Sequence, residues 1–122
     1  MNYMPEILSL AAGMARHAAQ RQAVVSKNVA NADTPGFKAQ DIAAFDPMEG
    51  FALRRTRAGH LGVEERGSEI RVMRDLSADP NGNTVDLEDQ ILRGIEAARH
   101  HDRAVTIYRN ALDLMRAGLG RR

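Results

Sequence analysis

The stretch SKNVANADTPGFKAQDIAAF, from Ser26 to Phe45, decides how the rest of the chain is read. Asn28 and Asn31 are poor helix-interior residues because their side chains compete for nearby backbone groups, so a helix arriving from the N-terminal side is expected to stop near Asn31. Pro35 and Gly36 suit positions i+1 and i+2 of a type II turn, where proline presets φ and glycine accepts a positive φ. The proline drives Thr34 towards an extended conformation. The chain should therefore bend sharply, placing Phe37, Ile42 and Phe45 to pack back on the helix or on a neighbour. On spacing alone this is helix termination followed by a turn.

Upstream, Met4, Leu8, Ala11, Ala15, Ala18, Val25 and Val29 recur at alternating three- and four-residue steps, with Gln22 in the remaining slot. The pattern predicts a helix with a narrow apolar seam. Pro5 fits its first turn, where an N–H would lack a partner anyway. From Pro5 to Asn31 such a helix is roughly 40 Å long. Downstream, Ile91, Ile95, Ala98, Val105, Tyr108, Leu112, Met115 and Leu119 form a second seam, interrupted by Asp102. Asp86 can cap this helix, Glu88 and Asp89 lie in its first turn, and Arg116, Arg121 and Arg122 lie towards its end, an order that complements the helix dipole. Gly118 and Gly120 should fray its last turn.

Between the seams, Asp46 to Asn83 is rich in Gly and Pro, and only EIRVM, Glu69 to Met73, reads as a strand. DPNGN, Asp79 to Asn83, is turn chemistry leading into the second helix. The predicted fold is mainly α: long N- and C-terminal helices pair as a coiled-coil-like inner domain around a loop-rich middle containing at most a short β element. The predicted segments are 1–46, 47–83 and 84–122.

Composition narrows the function classes. At 122 residues, with 4% aromatics and no Trp, a large enzyme core is not expected. Without Cys there is no disulfide framework, thiolate metal site or Cys nucleophile. Seventeen basic and 16 acidic residues give a net charge of +1, which argues against binding nucleic acid. The N-terminal residues lack the basic and apolar regions of a cleaved signal peptide, and no run is apolar enough to insert in a membrane.

Local clusters give weak chemistry. Glu96 and His100 stand at i and i+4 with His101 adjacent, a spacing that could suggest a metal pair or a phosphoacceptor. The two histidines diverge by about a quarter turn, however, and no carboxylate-rich partner motif accompanies them. His17 and His60 read as isolated. Arg54, Arg55 and Arg57 are followed by Glu64, Glu65 and Glu69 without interleaved aromatics, as in a solvated loop. No catalytic triad, P-loop or dinucleotide pattern is present. No catalytic, cofactor-binding or metal residues are therefore assigned.

ANADTPGFK, Ala30 to Lys38, preceded by SKNV, resembles the N-terminal signature of the bacterial flagellar rod, hook and hook-associated axial proteins. Asn28, Ala30, Asn31, Thr34, Pro35, Gly36, Phe37 and Lys38 all fall in its register. GNTVDLEDQI, Gly82 to Ile91, resembles the lead into the C-terminal helix of the short proximal rod members of that family. Gly94, His100 and His101 depart from the more uniform helix formers expected there. The resemblance implies a structural, non-enzymatic subunit of the basal-body rod, the periplasm-spanning drive shaft of motility, with its terminal helices paired in an inner tube.

Implied partners are further copies, other rod proteins, the protein joining rod to MS ring, and the flagellar type III export apparatus, which would carry the chain out of the cytoplasm without a cleaved signal peptide. Neither a small-molecule substrate nor a cofactor is implied. The expected subunit junction comprises Asn28, Asn31, Thr34, Pro35, Gly36 and Phe37, and the expected helix-packing residues are Val25, Val29, Ile91, Ile95, Val105 and Leu112. Two helices with aliphatic seams and no large third element would leave apolar surface for polymerisation to cover. The alternative is a small helical signalling module using His100 or His101 for phosphotransfer. It would need a compact multi-helix bundle around the acceptor. A third reading, a membrane-surface helix pair, is weakened by even charge and few aromatic anchors.

Overall fold

The computed structural model describes residues 3–47 and 69–120. It contains α1 (Met4–Ala30), β1 (Gln40–Ile42), β2 (Ile70–Val72) and α2 (Leu87–Leu119). Helix α1 has Pro5 in its first turn and stops at Asn31, whose N–H donates back to Lys27 O and Asn28 O. Helix α2 starts at Asp86, whose carboxylate accepts from the N–H groups of Glu88 (2.9 Å) and Asp89 (3.4 Å). It runs through Gly118 to Leu119, and Gly120 N–H closes it on Arg116 O at 2.8 Å.

The two helices pack antiparallel, with Asn28 bonded to Gln90 near one end and Arg21 reaching Glu96 further along. Their seam is made mainly of alanine: Ala11, Ala18 and Val25 on α1, and Gln90, Ala97, Ala104 and Ala111 on α2, are buried at seven-residue intervals. That heptad spacing keeps one stripe facing the partner along the whole pair. The fold is mainly α with two long paired helices, as the seams predicted. On α2, however, the buried stripe lies one residue before the predicted line through Ile91, Ala98, Val105 and Leu112. Small side chains let the helix axes approach closely. Gly94 belongs to the same region, where a Cβ would meet Val25 Cγ1 at 3.5 Å.

After the turn, the chain returns along α1. Ala39 and Ile42 are buried, and the Phe45 ring stands edge-on to His17 with centroids 5.6 Å apart. The same ring lies over Gly13, within 3.5 Å of where a Cβ would sit. Packing of Ile42 and Phe45 back on the helix follows the expectation. Contrary to the sequence expectation, His17 is not isolated: its Nε2 lies 2.7 Å from Ala43 O, because the returning segment brings that carbonyl to it.

The strand expected at Glu69 to Met73 is present as β2, and it pairs antiparallel with β1 in the register Gln40↔Val72, Asp41↔Arg71 and Ile42↔Ile70. Sequence periodicity gave no sign of β1. Arg54, Arg55, Arg57, His60, Glu64 and Glu65 lie outside the described residues.

Candidate assembly junction

The centre of the joint is Asn28, a polar residue with no exposed surface in the last turn of α1. Its Nδ2 donates to Gln40 O at 2.7 Å, while its Oδ1 accepts from Gln40 N–H at 3.0 Å. The side-chain amide thus pairs with both backbone groups of one residue, as a neighbouring strand would. Nδ2 also donates to Gln90 Oε1 at 2.9 Å, tying in α2. Gln90 is likewise buried. Buried amides are tolerated because their polar atoms find partners: no buried side-chain N or O among the described residues lacks one.

Beside this centre, the two sequence signatures meet. Phe37 N–H donates to Thr34 O at 3.2 Å and Gly36 has φ 73°, the backbone expected of the Pro35–Gly36 turn. Gly36 N–H reaches Asn81 O (3.0 Å), and Phe37 O accepts from Thr84 N–H (3.1 Å). Asn83 is buried between the segments, its Nδ2 donating to Asn31 O (2.9 Å) and Thr34 O (2.8 Å). Its Oδ1 accepts from Val85 N–H at 2.8 Å. Lys38 Nζ donates to Gly82 O, and Ala39 N–H to Thr84 Oγ1.

The second signature is therefore the intramolecular counterpart of the first. Asn28, Asn31, Thr34, Gly36 and Phe37 all hydrogen-bond within the joint, while Thr34, Pro35 and Gly36 keep exposed surface. Sequence reading missed the contributions of Gln40, Asn81, Asn83 and Gln90. The signal for them was only that they lie in, or within two residues of, the two stretches that resemble family motifs.

Charge reinforces the joint. Asp41 on β1 lies between Arg21 of α1 (3.2 Å) and Arg93 of α2 (2.6 Å). Arg93 Nε also contacts Asp89 at 2.7 Å. The hydrogen bond to Asp89, opposed by desolvation and helped by the charges of Asp89 and Asp41, holds the guanidinium proton more tightly than usual. Arginine suits this site because its fork can serve two carboxylates at once.

Next to the joint, the described residues leave aliphatic surface exposed between the helices. An open groove of about 570 Å³ runs between the helices, lined by Val25, Val29, Ala30, Ile91, Ile95 and Ala98 among others, with no charged side chain in its lining. Val25 is buried, but Val29, Ile91 and Ile95 are 43%, 59% and 46% exposed. Val105 and Leu112 continue the same stripe of α2 and are half-buried. Four of the expected packing residues thus meet at one groove, three of them roughly half exposed.

His100 and His101 lie on the exposed surface of α2, each 4.0 Å from a neighbouring carboxylate, and among the described residues no helix bundle surrounds them. Nothing in this placement favours phosphotransfer. Among the described residues, no group of His, Asp and Glu could hold a metal ion and no helix is long and apolar enough to cross a membrane.

Residues 9–38, which include the end of α1 and the Thr-Pro-Gly turn, match the family model described as flagella basal body rod protein. This stretch is thus similar to that of the flagellar basal body rod proteins. The chain is similar to the flagellar basal body rod protein FlgB of Agrobacterium fabrum, with 29% identity over 107 residues covering 80% of each chain. Against FlgB of Aeromonas hydrophila it is 38% identical over 79 residues, covering 58% of this chain and 60% of that protein. For FlgB of Salmonella typhimurium the identity is 35% over 86 residues, covering 57% and 61%. The match thus spans about three fifths of the latter two rod proteins. The family model ends at Lys38, the residue whose ammonium crosses to Gly82 in the joint.

Proposed function

We propose that this chain is a structural, non-enzymatic subunit of the bacterial flagellar basal-body rod, polymerising through its paired terminal helices to form part of the shaft that serves motility. The observation that carries the reading is the contrast between a hydrogen-bonded joint and the adjacent exposed groove at Val29, Ile91 and Ile95. A subunit that transmits torque needs a fixed internal geometry and a surface left for its neighbours. The family relation supplies the biological setting.

In this reading, neighbouring subunits cover the groove and its continuation at Val105 and Leu112. At ~25 cal/mol per Å² of apolar surface removed from water, each neighbour contributes several kcal/mol, opposed by the ordering cost of association. Head-to-tail contacts between different patches on successive copies, with a rotation that does not close, generate an open helical assembly. The exposed edge formed by Thr34, Pro35 and Gly36 meets the next subunit, while Asn28, Asn31 and Phe37 hold it in place. Further partners are other rod proteins, the protein joining rod to MS ring, and the type III export apparatus. The finished subunit resides in the periplasmic rod.

The test is a gene deletion complemented by this chain. Deletion should give cells that make flagellin but carry no flagella, the intact gene should restore them, and an Ile91→Ser/Ile95→Ser variant should not. Normal flagella in the deletion strain would remove the proposal.

A further inference from the structure

The joint contains an asparagine–glycine pair, Asn81–Gly82, placed where its chemistry would matter. Glycine has no Cβ to obstruct its amide nitrogen, so an Asn–Gly pair is prone to intramolecular attack on the asparagine side chain. Gly82 N gives up its proton and bonds to Asn81 Cγ; the Cγ–Nδ2 bond breaks and ammonia leaves, giving a succinimide. Water then opens the ring to aspartate or to isoaspartate, which carries an additional methylene in the main chain. The sequence needs only water and no redox partner.

In the closed joint both reacting groups are occupied. Gly82 N–H donates to Asp79 O at 2.8 Å, and Asn81 Oδ1 accepts from Asn83 N–H at 3.0 Å. Asn81 O is held by Gly36 N–H, which fixes the peptide that would have to rotate. Asn81 is nevertheless exposed, so water is at hand once those bonds break. Gly82 also packs against the turn, since a Cβ built on it would be in van der Waals contact with Gly36 Cα at 3.5 Å.

We propose that Asn81–Gly82 is a latent modification site: shielded while the joint is closed, it converts to isoaspartate when the joint opens, and the longer backbone with its new side carboxylate then prevents the Gly36–Asn81 contact from re-forming. Such a chain ages irreversibly in its open form. This inference rests on the joint alone and is independent of the rod assignment.

The experiment follows deamidation of the full-length chain under mildly alkaline conditions by peptide mass mapping and isoaspartate-specific methyltransferase labelling. Conversion at Asn81 in native buffer should be at least about tenfold slower than in fully denaturing urea, because only the open fraction reacts. Asn28→Ala, remote from Asn81 in sequence, should accelerate conversion, and Ile91→Ser should not. If Asn28→Ala is unfolded by circular dichroism, a sub-denaturing urea series on the natural chain replaces it, and the rate should rise with the open fraction.

Equal rates in buffer and urea, or a rate indifferent to both perturbations, would overturn the shielding. After removal of urea, isoaspartate-containing chain separated by ion exchange should melt below the unmodified chain. Identical melting would overturn the proposed block to closure.

Discussion

The two sides of the paired helices solve different problems. On one side, Asn28, Gln40, Asn83 and Gln90 bury polar groups and give each a partner, so the arrangement is specified by direction as well as by contact. On the other, Val29, Ile91 and Ile95 present aliphatic surface that is unspecific in direction and roughly half exposed. Hydrogen-bonded amides tolerate little displacement, whereas apolar surfaces accept a range of neighbours. A subunit made this way can hold its own shape before it meets another copy.

The contrast breaks most severely at Asn28. Asn28→Ala should destabilise the isolated chain by about 3 kcal/mol, because Gln40 N–H, Gln40 O and Gln90 Oε1 all lose a buried partner. A thermal melt followed by circular dichroism checks this. An unchanged midpoint would mean that water replaces the amide without cost. Next comes Gly36→Val, which forces a β-branched residue to φ 73°. Nothing lies within 4 Å of the added Cβ, so the cost, about 1–3 kcal/mol, is backbone strain without a clash. Rods should fail to assemble while the chain remains soluble, and rods of normal length from this variant would contradict the turn's role.

Asp41→Asn should cost less, about 1 kcal/mol, since it removes one charge from a half-buried network that solvent partly screens. Its effect should shrink further in high salt, as seen in denaturant midpoints at two ionic strengths. The smallest effect on folding belongs to Ile91→Ser/Ile95→Ser, within about 0.5 kcal/mol because both residues are already exposed. The same variant should abolish swimming in soft agar. A large loss of monomer stability would show that the groove is part of the core, erasing the distinction between the two sides.

Much of this architecture is legible in the chain. Helix α1 ends where Asn28 and Asn31 predict, Asp86 caps α2, and the Pro35–Gly36 turn has its positive φ. Periodicity could not tell which apolar stripe of α2 faces its own partner. The larger residues Ile91 and Ile95 draw attention, yet close pairing selected Ala97, Ala104 and Ala111, with Gln90 beside Asn28.

The joint itself was legible only as two separate family-like signatures. In the sequence Asn28 reads as a helix terminator, because local competition is what one sequence reveals. Its imitation of a strand towards Gln40 depends on the return of the chain. Strand β1 has three residues and exists through pairing with β2, so it carries no period of its own. Asn83 and Gln90 were invisible for the same reason: their partners are distant in sequence.

A density map of the intact basal body with this chain traced in it tests the central claim most directly. The account predicts that the Asn28–Gln40–Gln90 bonds persist and that a neighbouring subunit covers Val29, Ile91 and Ile95. Those three side chains facing open solvent in the assembled rod, or helices separated at Asn28, would contradict it.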